Sequence, residues 1–253
     1  MISLLLALAA AQASAAAPLT RESCGAAVAT SPEKAVELAS EWRIKGGGLD
    51  ARQCLGQAYA KLGRWAPAAT AFEQAAADAQ LARDSRIADF RIQAGNAWLA
   101  AGEPLKARRS FDAALIAGIG SPELEGEVYL DRARALVALD DVAAARADLD
   151  KGLALVPGDP FGWYLSAALA QREGDLARAR TDIAKAVAGA PDDAGVLLLA
   201  GNIAGLSGDL AAARSFFTRA ATAAPDSAAG KAASAALAAN AAPEPTPVPA
   251  QPN

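Results

Sequence analysis

Gly174–Pro191 reads GDLARARTDIAKAVAGAP and Gly208–Pro225 reads GDLAAARSFFTRAATAAP, one pattern written twice at a displacement of 34 residues. Pro157, Pro191 and Pro225 carry the same spacing. A fixed period of this length marks an array of small supersecondary units, not one globular core. Each Gly-Asp-Leu lies seventeen residues ahead of its proline and separates two helical stretches. After the turn, Ala145, Ala179 and Ala213 share one position, Leu149, Ile183 and Phe217 the position four residues on, and Gly152, Ala186 and Ala220 the following turn. The i, i+4, i+7 spacing puts them on a single helix face.

Carried backwards, the register finds two further repeats. One contains Leu55, Gly56, Tyr59, Gly63, Ala68, Phe72 and Ala75; the next contains Gly95, Trp98, Gly102, Ala107, Phe111 and Ala114. Gly56 to Gly95 is 39 residues, Gly95 to Ala133 is 38, and the two later steps, to Ala167 and Gly201, are 34 each. The extra residues fall near 76–88 and 115–126, where they lengthen helices or connections.

Small residues at Gly56, Gly95, Ala133, Ala167 and Gly201 face the alanines Ala68, Ala107, Ala145, Ala179 and Ala213. Such pairs let two helices approach to the short end of the usual interaxial range, about 8 Å. Phe72, Phe111, Leu149, Ile183 and Phe217 are then expected to fill the space between one hairpin and the next. Pro67, Pro104, Pro122 and Pro160 fall in turns or at helix starts, where a missing N–H costs nothing.

These residues resemble the tetratricopeptide repeat family, whose W-x-x-L-G-x-x-Y…A…F…A…P pattern is matched best by Leu55-Gly56-x-x-Tyr59…Ala68…Phe72…Ala75. The resemblance covers about Asp50 to Pro225. It implies an all-α, right-handed solenoid of helix-turn-helix repeats, divided at 49–87, 88–125, 126–159, 160–193 and 194–225. Residues 16–48 are then an N-terminal segment with a capping half-repeat helix that starts at Ser31-Pro32-Glu33 and presents Ala35, Leu38, Ala39 and Trp42 on one face. Residues 226–241 form a C-terminal capping helix, since terminal repeats need a polar outer face.

Composition supports the all-α reading. Of 253 residues, 53% are hydrophobic but only 5% aromatic. Alanine-rich apolar content suits closely packed helices and offers strands little branched bulk. The net charge of −4 and the absence of a basic block exclude the phosphate-neutralising footprint of a nucleic-acid binder.

Both ends differ from the repeats. Residues 2–11, ISLLLALAAA, are followed by small residues that offer signal-peptidase sites, so 1–15 reads as a signal peptide of an exported, periplasmic protein. The alternative is an uncleaved segment anchoring the chain in the inner membrane, the one route to membrane contact. Residues 242–253, APEPTPVPAQPN, form a disordered tail, because five prolines block a helix. Cys24 and Cys54 are a disulfide in an oxidising compartment or two buried thiols.

In the family the first helix of each repeat lines a concave groove. Transferring those positions gives Gln57, Ile92, Asn96, Leu130, Arg134, Phe161, Tyr164, Leu198 and Asn202 as groove candidates. Gln57, Asn96, Arg134 and Asn202 share one position, broken at Ala168, and form a row of side-chain donors that can bond a peptide backbone. Some members clamp a ligand's terminal carboxylate with lysine, asparagine and arginine. Here Gln53, Gln57, Gln93, Glu127 and Asp131 stand at those places, so the clamp is not expected.

Chemistry finds few parts. With no histidine, base catalysis would fall to carboxylates, lysine or tyrosine. Asp140-Asp141 and Asp192-Asp193 lie in turns and read as helix-starting residues. Cys24 and Cys54 lack a histidine partner, and Gly46-Gly47-Gly48 lacks the lysine of a phosphate loop. The sequence therefore points to a non-enzymatic scaffold without cofactor or metal, holding a protein or peptide partner in the groove. The alternative is a structural component of a cell-envelope complex that self-associates through repeat edges.

Overall fold

The computed structural model describes residues 20–239; the segments assigned above to a signal peptide and a proline-rich tail lie outside the described residues. Within that range thirteen α-helices form, and no strand does. The chain separates into two compact units, one ending at Phe90 and one starting at Arg91.

The first unit holds α1 (Arg21–Thr30), α2 (Pro32–Ile44), α3 (Gly48–Lys61), α4 (Trp65–Ala82) and the opening residues of α5 (Ile87–Ala100). The sequence points to one capping helix before the repeats, whereas the structure has two. Thr20 starts α1 by accepting from the Ser23 N–H, while the Ser23 hydroxyl answers the Thr20 N–H. A serine at the third position is a weaker signature than the glutamate of the usual capping box. Cys24 alone in α1 is buried, so no apolar face advertises the helix. Cys24 and Cys54 are joined by a disulfide, Cα to Cα 5.9 Å, which ties α1 to α3. Ala39, Val28, Trp42 and Leu55 pack around it.

Pro67 is the third residue of α4, where its missing N–H has no intrahelical acceptor to lose. α4 runs for 18 residues against 14 in α6, α8, α10 and α12, so the first insertion is an added helical turn. The end of α4 packs Ala76 and Ala79 on Phe90, Leu49 and Ile87, with Ala79 in the added turn.

The second unit continues through α6 (Pro104–Ala117), α7 (Pro122–Ala138), α8 (Val142–Leu155), α9 (Pro160–Glu173), α10 (Leu176–Gly189), α11 (Ala194–Leu206), α12 (Leu210–Ala223) and α13 (Ala228–Ala239). Successive helices pack as antiparallel hairpins, α7 on α8, α9 on α10, α11 on α12, with α13 against α12 and α11. The second insertion lengthens α7 to 17 residues and supplies the link before its Ser121 cap. Asp141, Asp175, Asp193 and Asp209 each accept the N–H three residues on, the arrangement that favours a helix start. Asp140 has a different task from Asp141: its φ of 63° fills the left-handed turn position that Gly174 and Gly208 occupy in later repeats.

Inside each hairpin the small residue of the first helix meets the large residue of the second. A methyl added to Gly56 would come within 2.6 Å of the Phe72 ring, and Gly95 and Gly201 are covered as closely by Phe111 and Phe217. The rings thus also fill space within their own hairpins, beyond the filling between hairpins expected from the sequence.

Neighbouring hairpins are keyed by ion pairs. Arg132 on α7 grips buried Asp148 on α8 with two nitrogens at 2.7 and 2.8 Å and reaches Asp112 on α6 at 2.8 Å. The Asp148 bond and charge, reinforced by Asp112, outweigh burial and hold the guanidinium well above its ordinary pKa. One repeat later Ser166 donates to buried Asp182 at 2.6 Å and accepts from Arg146 at 2.7 Å.

Candidate functional site

The first helices of three consecutive repeats, α7, α9 and α11, touch one another in the second unit and form a continuous face. Helix periodicity fixes which side chains reach it. Arg134 on α7 is exposed, donates to Asp131 at 2.9 Å and lies over the Phe161 ring of α9 at 5.6 Å. Phe161 stacks on Tyr164 with ring centroids 6.0 Å apart. At 47% exposure Phe161 is open to solvent despite its size. A guanidinium over an open aromatic pair offers a peptide both a donor fork and a flat apolar surface.

Two clefts lie on this face. One, about 330 Å3, has an apolar floor of Ala133, Val137, Leu149, Leu165, Ala168 and Leu169, with Arg134 and Arg172 as its only charged lining. The other, about 790 Å3, opens at the α11–α12 turn between Gln171, Asn202, Leu206, Leu210, Arg214 and Leu237. Leu206 and Leu210 are 60% and 71% exposed.

The candidates taken from the sequence separate into groups. Asn96, Arg134 and Asn202 are exposed at equivalent turns of their helices, with Ala168 between the last two; Ile92 and Tyr164 are half-buried. Gln57 is likewise exposed, on α3 of the first unit. Leu130 is not a groove residue. It is 3% exposed and fills the hole left among Gly152, Gly162 and the α8 side chain Leu153. Glycines at those positions remove the side chains that would otherwise push Leu130 outward. Leu198 is half-buried against the cluster formed by Leu197, Phe217, Ala220 and Ala233, so the C-terminal helix takes part of its surface.

Sequence reasoning missed Leu206, Leu210, Arg172 and Arg214. The signal was present in Leu206 and Leu210, two leucines flanking Gly208 in a turn where polar residues are the norm. Among the described residues no helix is long and apolar enough to cross a membrane.

No protein-family model matches the sequence, and no curated protein matches it. Solved structures do. PilW, a type IV pilus biogenesis factor, superposes with a TM-score of 0.69 at 19% identity, covering 84% of this chain and 95% of its own. PilF of Pseudomonas aeruginosa gives 0.62 at 18%, covering 85% and 99%. YrrB, a tetratricopeptide repeat protein with an unusual peptide-binding site, gives 0.56 at 19%, covering 79% and 100%. The five hairpins and these superpositions establish that the chain has the all-α solenoid fold of tetratricopeptide repeat proteins.

Proposed function

We propose that this chain is an exported protein–protein interaction scaffold that holds a partner's peptide or helix on the α7–α9–α11 face. The observation that carries the reading is the Arg134–Phe161–Tyr164 stack beside an apolar cleft. A large exposed ring backed by a second ring and an arginine is the composition of a binding hot spot. The row of exposed Asn96, Arg134 and Asn202 supplies donors for a backbone whose sequence need not be read. YrrB, with the same fold, has a peptide-binding site, which supports a peptide partner here. The apolar segment 2–11 and the Cys24–Cys54 disulfide support export to an oxidising compartment. The pilus role of PilW supports an envelope setting. We assign the repeats within this scaffold to 49–87, 88–125, 126–159, 160–193 and 194–225, between capping segments.

Cross-linking in cells identifies the partner, and the purified pair then tests the face. Arg134→Ala combined with Phe161→Ala is expected to weaken partner capture by more than about tenfold, since hot-spot truncations cost roughly 2 kcal/mol. Both residues are exposed, so the thermal midpoint should stay at the wild-type value. Undiminished capture by a folded double variant would refute the assignment.

A further inference from the structure

The larger cleft, at the α11–α12 turn, shares Asn202 with the row of donors that includes Arg134. Its lining contributes donors and no carboxylate: the amides of Gln171 and Asn202 and the guanidinium of Arg214 surround the apolar Leu206, Leu210, Ala236 and Leu237. Ala236 and Leu237 belong to the last turn of α13, which ends at Ala239. α13 therefore ends at the rim of this cleft, and residues 240–253 follow it in the sequence.

The composition of that segment complements the lining. Five of its fourteen residues, Pro243, Pro245, Pro247, Pro249 and Pro252, carry carbonyl acceptors without N–H donors. Such a sequence gains most from a surface that donates, which is what the two amides and the guanidinium provide. Its only charged side chain is Glu244, opposite in sign to Arg214. Pyrrolidine rings, Val248 and the alanines match the apolar floor. Fourteen residues of proline-rich chain span on the order of 40 Å. Neighbouring helix axes lie about 10 Å apart, so the segment is long enough to pass α11 and reach α9.

We propose that the cleft at the α11–α12 turn is a binding site for a proline-rich segment, and that residues 240–253 of the same chain are its occupant. The segment then competes with a partner for the α9–α11 end of the groove.

The test uses a labelled synthetic peptide of residues 240–253, titrated into the full chain and into a chain ending at Ala239. Saturable binding to the shortened chain is expected with a Kd below about 0.1 mM, so that an effective concentration in the millimolar range keeps the full chain's own tail mostly bound. The full chain should bind the same peptide at least about tenfold more weakly, its own tail being in place. A Glu244→Lys peptide should lose about fivefold through the reversed charge. Leu206→Asp in the shortened chain, a substitution at an exposed position, should lower affinity for the wild-type peptide. Absence of saturable binding to a folded shortened chain, or equal binding to both chains, would overturn the proposal. Either result leaves partner capture through Arg134 and Phe161 standing, so the two readings fail separately.

Discussion

Gly201 and Phe217 show how the hairpins are specified residue by residue. The ring fills the space above the glycine, and three repeats use a Gly–Phe pair where the two others use Ala133 with Leu149 and Ala167 with Ile183. Size is exchanged across the contact at nearly constant total volume, which is what a close-packed interior requires. Gly201→Ala should therefore cost about 1 to 3 kcal/mol by overpacking. Phe217→Leu opens a void on its own, but in the double variant, which reproduces the Ala133–Leu149 pair, the two effects should cancel by at least about 1 kcal/mol. Urea unfolding of the four proteins measures that coupling, and strict additivity would show that the two side chains do not share the space. Both residue types were visible in the repeat pattern. Their contact within one hairpin was not, because periodicity reports which face a residue occupies and not which neighbour it touches.

At the scale of elements, the departures from the sequence reading come where a helix has little apolar signal or an apolar residue has unusual neighbours. α1 has one buried residue and a serine-based cap, so nothing in its periodicity separates it from a connecting segment. Its covalent attachment is the disulfide, beside the packing of Val28 and the Arg21–Asp50 ion pair. Reducing the Cys24–Cys54 bond, or replacing both cysteines with serine, should destabilise the first unit by about 3 to 4 kcal/mol, the chain-entropy value for a loop of about thirty residues. Hydrogen exchange should rise in α1, α2 and α3 and remain unchanged in α7 to α12. Unchanged protection of α1 would show that packing alone holds it. Leu130 is the converse case. A leucine at a groove position is legible as exposed until Gly152 and Gly162 are known to lie against it.

For the molecule as a whole, the lack of histidine sets a physical property as well as excluding chemistry. Histidine is the side chain whose unperturbed titration falls between pH 5 and 8, and this chain has none. Two carboxyls are held below their ordinary range: a hydrogen bond from Lys45, aided by its charge, lowers Glu41, and a hydrogen bond from the Ser121 hydroxyl lowers Glu123. A group with a depressed folded pKa contributes stability above its unfolded value and loses it as pH falls through the folded one. These groups act below the neutral range, so the thermal midpoint should stay within about 2 °C between pH 6 and 8 and decline only as carboxylates protonate. A steep midpoint change across pH 6 to 8 would contradict this account.

The sequence by itself determined the repeat, the helical class, the turn positions and the proline stops, because each depends on residues close along the chain and on a pattern that occurs in five units. Only the tertiary structure decided which candidates face solvent, that Arg134, Phe161 and Tyr164 stack, and that Leu206 and Leu210 border a cleft beside the end of α13. Those arrangements join residues of different helices. The angle and depth at which one helix meets the next follow from summed side-chain volumes across the contact, a quantity that spacing along one chain does not carry.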